Sequence, residues 1–503
     1  MKRLIFCFDG TWNKINEKAL TNVALTAAAI KNEGSITRTL KAKSEEELEY
    51  EEAVPQIIHY DEGVGTNRLE KYSGGILGKG LYENIKEAYL FLCLNYSPGD
   101  EIYIFGFSRG AYTARSFAGF IGNCGIMKSE HIEKVIKAAE LYKQRGTETD
   151  EDLKQSLENT LFTFINRYGC EVTTCQAEHD WKKSKTGYED HEQPRVKISY
   201  LGVWDTVKTL IDTDRKEKEF HDDDIPECAE AGRHAVALDE HRGSFNFTPW
   251  ENIEDANRRA WEANSEGLEF EEYCVSPKRA FQEVWFPGTH GGVGGGGDQR
   301  GLSDNALLWV LEGAKDKGLV LDTGPLSKVF GLAPTPIAPL DNTETDGALE
   351  QIYDFKGNFK KFVRTGPKHV SEVSESLFAR FAAPASVLPR EEERKKKDSY
   401  RPDALEAIQD EVKAAAEAKY SKDDFELYNG YAHDPNEVIP DKKEVNGKEY
   451  RAYTVQQGDT LGTIAGKTLG SKKRYKEIHA CNKVMIPDQN VVHPGQIINI
   501  PTD

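Results

Sequence analysis

The chain has 503 residues, 38 % of them hydrophobic and 30 % charged, with a formal net charge of −19. That length admits two or three globular domains. The acidic excess argues against nucleic acid as a partner, because phosphates need clustered Lys and Arg, and no stretch approaches the roughly 18 apolar residues of a membrane span.

The first residues, Met1-Lys2-Arg3 and then Leu4-Ile5-Phe6-Cys7-Phe8, start like a signal peptide, but the apolar run stops at Asp9. That is short of an h-region of about 7–15 residues, so it reads as a first strand of a protein made in the cytoplasm without a cleaved leader. Residues 37–52 form a charge-rich insertion. The spacing of Leu81, Ile85, Ala88, Tyr89 and Leu92 predicts a helix over 80–96. After a turn at Ser97-Pro98-Gly99-Asp100 comes a strand over 101–105, then Gly106-Phe107-Ser108-Arg109-Gly110, then a helix over 111–121. Helices are predicted over 130–145 and 150–168, stopped by Gly146 and Gly169. Further strands are expected at 196–203 and 282–286. Residues 390–397 are a charge run, and 404–420 an Ala-, Glu- and Lys-rich helix expected to lie in solvent. The expected units are a body over 1–402, a charged helical and flexible connector over 403–449, and a small module over 450–503. The eight cysteines share no repeated spacing, which fits reduced thiols better than a disulfide framework. Cys170, Cys175, His179 and His191 match no zinc spacing, so no metal or other cofactor is expected.

Gly106-x-Ser108-x-Gly110 between a strand and a helix is the pattern of a nucleophile elbow. Small neighbours let the chain bend sharply, lifting the hydroxyl to a helix N-terminus that favours negative charge. A neutral hydroxyl needs a base, and the base needs an orienting acid. Asp205 follows the strand Leu201-Gly202-Val203-Trp204, and His290 follows Trp285-Phe286-Pro287-Gly288-Thr289, in the chain order this architecture uses. The oxyanion hole would take the Arg109 amide and a second donor from Gly10-Thr11, with Asp9 alternatively bracing that loop. The glycine run over 291–297 lacks the lysine and spacing of a Walker loop. Strand and helix alternation through this half predicts an α/β-hydrolase-like α/β fold with a mostly parallel sheet; the two helices between the serine strand and the next would be helical cap insertions.

Phe8-Asp9-Gly10-Thr11-Trp12-Asn13, Tyr60-Asp61-Glu62-Gly63-Val64-Gly65-Thr66, the block from Gly106 to Arg115, Gly202-Val203-Trp204-Asp205-Thr206-Val207 and Trp285-Phe286-Pro287-Gly288-Thr289-His290 together resemble the α/β-hydrolase domain of type VI secretion phospholipase effectors of the first class. Leu302-Ser303-Asp304 and Tyr400-Arg401-Pro402 continue the likeness. The resemblance implies phospholipase A activity on glycerophospholipids, with Ser108, Asp205 and His290 as nucleophile, acid and base. It also implies a type VI secretion spike or tube component and an immunity protein as partners, and export into a target-cell periplasm. One departure stands out: the family places an acidic residue shortly after the histidine, whereas this chain has Gly291-Gly292-Val293-Gly294-Gly295, so a looser histidine loop is expected. Tyr453-Thr454-Val455-x-x-Gly458-Asp459-Thr460-Leu461, with Asn482, Pro494-Gly495-Gln496 and Ile498-x-Ile500-Pro501, resembles a LysM module of βααβ form. That implies binding of peptidoglycan or another N-acetylglucosamine glycan, with Gly458, Asp459, Thr460 and Asn482 as candidate contacts and Asp459 or Thr460 capping the first helix.

Three readings remain open on the sequence: an antibacterial lipase tethered to the cell wall, an intracellular carboxylesterase acting on small esters, and a wall-binding scaffold without catalysis.

Overall fold

The computed structural model of the chain describes residues 1–10, 19–41, 47–63, 74–186, 194–208, 224–265, 267–297, 300–322, 332, 334–340, 363–388, 399–426, 442–445, 447–456, 458–486, 489–490, 492 and 496–502. Seven strands form the central sheet: β1 Arg3–Phe8, β2 Glu33–Lys41, β3 Glu47–Asp61, β4 Glu101–Phe107, β5 Lys197–Trp204, β6 Gly232–Ala237 and β7 Phe281–Phe286. Their order is β2-β3-β1-β4-β5-β6-β7, parallel except for the edge strand β2. The fold is that of an α/β hydrolase.

Strand alternation builds two cores from one sheet. Leu4, Phe6 and Phe8 of β1 join Ile102 and Ile104 of β4 on one face, while Ile5 and Cys7 join Tyr103, Phe105 and Phe107 on the other. In β5 the register against β4 shifts between Ile102 and Tyr103, where Ser199 is the extra residue. That irregularity flips the phase, so Ile198 faces the first core and Tyr200 the second, and the phase of Trp204 and of Asp205 beyond it is set there.

Helices close both faces. The first is covered by α2 Gly74–Asn95 and α3 Arg109–Cys124, through Ile85, Ala88, Tyr89 and Leu92 and through Ala111, Ala114, Phe117 and Ile121. The second is covered by α1 Asn22–Ala29 and by the helix Gly301–Asp316, through Val23, Leu25, Leu307, Val310 and Leu311. The inserted helices α4 Val135–Thr147, α5 Glu151–Tyr168 and α6 Gln176–Thr186 lie in sequence between α3 and β5. They join the body where α3 ends: Lys128 N–H donates to Tyr168 O at 3.0 Å and Cys170 N–H to Ile126 O at 2.7 Å. Ser108 stands at the opposite end of α3.

Several expectations change in detail. Of residues 37–52, expected as an insertion, 37–41 belong to β2 and 47–52 to β3, where Thr37 pairs with Glu51, and residues 42–46 lie outside the described residues; an edge strand can be polar because water takes its outer side. Gly146 lies inside α4, which runs to Thr147, and Gly169 ends α5 in an extended conformation at φ −82°. The helix expected in solvent is a short 3-10 turn, Asp403–Ile408, followed by Gln409–Lys419, and its inner face is buried. Leu405, Ile408, Val412, Ala416 and Tyr420 pack with Leu377, Phe378 and Phe381 of the helix Glu375–Ala382. The Ala, Glu and Lys content describes only the outer face; the spacing of 405, 408, 412 and 416 is that of one helical stripe.

At the C-terminus, strand β9 Lys448–Thr454, helices Leu461–Thr468 and Tyr475–Ala480, and strand β10 Ile497–Pro501 give the expected βααβ module around Leu461, Ile464, Ile478, Ile498 and Ile500. A further strand, β8 Lys442–Val445, from the stretch expected to be connector, pairs antiparallel with β9. Residue runs 390–397 and 427–441 lie outside the described residues. Leu405 is fully buried, so Leu405→Ala is expected to cost about 2–5 kcal/mol by lost transfer energy and cavity formation. A fall in the thermal unfolding midpoint of the body measures it; an unchanged midpoint would contradict the packing.

Candidate active site

The register of the parallel strands decides what meets at their carboxyl ends. Phe107 is opposite Trp204, Trp204 opposite Ala235, and Ala237 opposite Phe286. Ser108 after β4, Asp205 after β5 and His290 beyond β7 therefore emerge on one edge. The chain runs from β1 to one side and then returns to β4 on the other, so the β1/β4 gap is the topological switch point where open α/β sheets take their ligands.

Ser108 turns at φ 59° and ψ −126°, immediately before α3. Its N–H donates to Trp204 O at 3.0 Å, and its carbonyl accepts from Ala111 N–H at 3.1 Å. The two flanking glycines are steric necessities. A Cβ on Gly106 would stand 2.5 Å from Gly110 O, and one on Gly110 would stand 2.3 Å from Phe8 O. Among the described residues, Ser108 and Asp205 (φ 40°) are the non-glycine positions with positive φ, each costing about 1–3 kcal/mol that the surroundings must hold.

The side chains meet as a continuous line. Ser108 Oγ is 2.8 Å from His290 Nε2, and His290 Nδ1 is 2.6 Å from Asp205 Oδ2. Ser108 and His290 are each 7 % exposed and Asp205 is fully buried. An ionised carboxylate can only accept, so the proton sits on Nδ1 and Nε2 is left to accept from the serine hydroxyl. The imidazole is held between Phe107, with ring centroids 4.6 Å apart, and Phe245, at 4.8 Å.

Asp205 is also gripped by a residue with no sequence motif. Arg364 Nη1 donates to Oδ1 at 2.6 Å and Nη2 to Oδ2 at 3.0 Å, and Ala237 N–H donates to Oδ1 at 2.8 Å. Burial alone would push the Asp205 carboxyl up, but the Arg364 guanidinium, and after it the bond from His290, hold it well below the usual carboxylate range. Its contribution to stability is therefore complete above the unfolded value of about 3.9 and is lost as pH falls through the lower folded value.

The glycine run after His290 is not a loose loop. Residues His290–Gly294 make a short helical segment. A Cβ on Gly294 would lie 1.9 Å from the Phe107 ring, and one on Gly292 would lie 2.5 Å from Leu340 O. The glycines thus let Phe107 close on the imidazole. An acidic residue does meet the backbone of this segment, from elsewhere in the chain: His290 N–H donates to Glu240 Oε2 at 3.1 Å. Burial favours the neutral form of Glu240, but Arg242 outweighs it and holds the carboxyl below its ordinary value. Sequence reasoning missed Glu240 although Ala235-Val236-Ala237-Leu238-Asp239-Glu240 is an apolar run ending in two acids, the same signal that singled out Asp205.

The expected oxyanion donors fare unequally. Arg109 opens α3 directly after Ser108, at the end of the helix whose dipole favours negative charge. Gly10 does not fit: its N–H donates to Asp9 Oδ1 at 2.6 Å. Asp9 is the brace of that loop, its other oxygen accepting from Thr21 Oγ1 and Tyr60 OH, both at 2.6 Å. Thr11, Trp12 and Asn13 lie outside the described residues, as do Val64-Gly65-Thr66 and His191.

In the C-terminal module Thr460 caps the first helix with a reciprocal capping box to Thr463. Gly458 is exposed at φ 80°. Asp459 accepts from Tyr453 OH at 2.7 Å, Gln456 N–H at 2.9 Å and Lys467 Nζ at 2.6 Å. Asn482 does not stand on the surface: it is 3 % exposed, donating to Ile478 O and Asn499 O and accepting from Asn499 N–H, each at 2.7 Å. Its amide clamps β10 to the second helix, which corrects its place among the glycan contacts.

A family model described as the type VI secretion system (T6SS) phospholipase effector Tle1-like catalytic domain matches residues 2–313. The chain belongs to the Tle1-like phospholipase effector family. A LysM domain model matches residues 453–501, so this member carries a LysM domain at its C-terminus. Among curated proteins, the chain is 31 % identical over 259 residues to the uncharacterized protein YEL023C of Saccharomyces cerevisiae, covering 49 % of this chain and 33 % of the yeast protein. It is 37 % identical over 51 residues to the potassium binding protein Kbp of Escherichia coli O6:H1, covering 10 % of this chain and 34 % of that one. The chain thus spans about a third of the length of the curated relatives it matches. Among solved structures, the Tle1 effector bound to the VgrG spike aligns at 15 % identity and TM-score 0.25 over 58 % of this chain and 50 % of that one. An uncharacterized protein from Pseudomonas aeruginosa aligns at 14 % identity and TM-score 0.29 over 97 % and 75 %.

Two substitutions test the local geometry. Gly110→Ala is expected to abolish activity and lower the unfolding midpoint, because the 2.3 Å approach to Phe8 O cannot relax without opening the elbow; wild-type stability would refute the steric role. Asn482→Ala is expected to unfold the LysM module, leaving three backbone groups to find new partners. Weaker glycan binding with an intact amide NMR spectrum would instead make Asn482 a contact residue.

Proposed function

We propose that this member of the Tle1-like family is a serine hydrolase of the phospholipase A type, with Ser108 as nucleophile, His290 as base and Asp205 as acid. One observation carries the reading: the line from Ser108 Oγ through both imidazole nitrogens to a buried carboxylate, at 2.8 and 2.6 Å, behind a sharply bent serine. In the first half-reaction Ser108 Oγ bonds to the ester carbonyl carbon while its proton passes to His290 Nε2. The Arg109 amide takes a share of the oxyanion charge. Collapse breaks the acyl C–O bond, His290 returns the proton to the leaving alcohol, and a lysophospholipid departs. Water, deprotonated by His290, then cleaves the acyl-enzyme and releases the fatty acid, restoring the Ser108 hydroxyl. The chemistry needs no cofactor.

Family membership supports a glycerophospholipid as the substrate, and the LysM domain supports peptidoglycan or a related N-acetylglucosamine glycan as the tether. Gly458, Asp459 and Thr460 remain the proposed glycan-facing turn. Membership of a type VI secretion effector family supports a spike or tube component of that system as carrier; release into a target-cell periplasm and an immunity protein guarding the producer complete the proposal. The proposed units are a hydrolase body over 1–402, a connector over 403–449 and the LysM domain over 450–503. Arg364 and Tyr400 argue for a body longer than the matched family region, since one holds Asp205 and the other donates to Asp239 Oδ2 at 2.7 Å.

The test is product analysis on liposomes with wild type and Ser108→Ala. The variant is expected to release no fatty acid while still sedimenting with peptidoglycan. Equal turnover by the variant would overturn the assignment. Turnover of short soluble esters alone, with liposomes untouched, would remove phospholipid as the substrate.

A further inference from the structure

Asp205 is a buried carboxylate saturated by four donors: Arg364 Nη1 and Ala237 N–H on Oδ1, Arg364 Nη2 and His290 Nδ1 on Oδ2. Both side chains of the ion pair are fully buried. Arg364 reaches further. Nη1 also donates to Ala237 O at 2.8 Å, and Nη2 to the carbonyl of Phe245, whose ring packs on His290. One guanidinium therefore ties together the turn carrying the acid, the end of β6 and the aromatic wall of the base. Residue 364 lies past the region matched by the catalytic-domain family model, which ends at residue 313.

We propose that Arg364 is a positioning residue of the catalytic centre: its fork fixes the plane of the Asp205 carboxylate, and its charge, bonded to both carboxylate oxygens, lowers the affinity of the Asp205–His290 pair for a further proton. The inference rests on the serine-hydrolase reading above. A lone buried carboxylate beside an imidazole draws a proton onto the pair. A permanent cation bonded to both carboxylate oxygens cancels much of that pull. Whichever member of the pair would carry the extra proton, the affinity of the pair for it falls when Arg364 is present. Bidentate pairing is specific to arginine, since a lysine ammonium supplies charge without the fork.

Other charged groups on elements around His290 are Asp239 and the Glu240–Arg242 pair after β6, the Arg300–Asp304 pair on the helix behind residues 290–294, and Asp9 after β1. Substitution at 364 leaves all of them in place, so a shift between variants reports Arg364.

The test uses the full chain and a fluorophosphonate probe, which needs an active serine but no lipid. Labelling rates are followed against pH for wild type, Ser108→Ala, Arg364→Gln and Arg364→Lys, with circular dichroism as the folding control. Wild type is expected to label and Ser108→Ala not to. In Arg364→Gln the acid limb is expected to move up by about one pH unit or more. In Arg364→Lys the limb is expected to stay near wild type while the plateau rate falls about tenfold or more from lost orientation. An acid limb for folded Arg364→Gln that coincides with wild type overturns the proposal, because a purely structural ion pair would not move it. If Arg364→Gln fails to fold or to label, Arg364→Lys decides, and a wild-type plateau there overturns the proposal. Absence of labelling in wild type at every pH would instead remove the serine reading itself, and this inference with it.

Discussion

A carboxylate with no access to water must be surrounded by donors, and the arrangement around Asp205 follows from meeting that demand. An unpaired buried charge is prohibitively costly, so Asp205 recruits a backbone amide from β6, a guanidinium from residue 364 and the imidazole of residue 290. Those three groups come from segments far apart in the chain. The carboxylate is thus both a chemical participant, on the hydrolase reading, and the point where the second half of the body is fastened to the sheet. Its positive φ belongs to the same constraint: Asp205 N–H donates to Ala235 O at 2.7 Å, and the following N–H, of Thr206, donates to His234 Nε2 at 3.1 Å. The backbone is held in an unfavourable region because both of its amides are satisfied there.

Crowding is the second constraint, and it explains glycines that would otherwise invite a ligand-binding interpretation. At the elbow only hydrogen fits at positions 106 and 110, because the first faces the backbone of Gly110 and Ala111 across the bend and the second lies against the end of β1. At positions 292 and 294 the same rule admits Leu340 O and the Phe107 ring. The first pair lets Ser108 be raised; the second lets an aromatic ring lie against the imidazole. Dry, apolar walls on both sides strengthen the hydrogen bonds between serine, histidine and aspartate.

The parts of this site that were legible in the sequence are those whose signal is local. Strands β1, β4, β5 and β7 announce themselves as apolar runs, and the residues just beyond each carboxyl end become candidates for chemistry. Ser108, Asp205 and His290 emerge that way, in chain order. Arg364 could not, because nothing in Val363-Arg364-Thr365-Gly366 distinguishes an arginine that finds a buried carboxylate from one in solvent. Glu240 was within reach, but β6 is short and contains Arg233 and His234, which hide its strand character. Gly10 was misassigned because a backbone N–H near the right strand looks available until the side chain of its own neighbour claims it. Asn482 was misread for the converse reason: a polar residue in a small module looks like surface until β10 closes over it.

The buried stripe of residues 405–416 changes how the body and the LysM domain relate. Phe425 and Val484, one from the helix Lys422–Glu426 and the other from the LysM domain, belong to the same apolar cluster as Leu377 and Leu405. Lys483 Nζ approaches Asp424 Oδ1 at 3.7 Å beside them. The segment between the two units is therefore anchored at its start to the body, through burial that a polar outer face conceals. The Lys483–Asp424 pair is partly exposed and adds little by itself, so among the described residues the burial of Phe425 and Val484 is what joins the two units there. The fastening at Asp205 and Arg364 lies in a different and more deeply buried set of contacts, both side chains of that ion pair being closed to solvent.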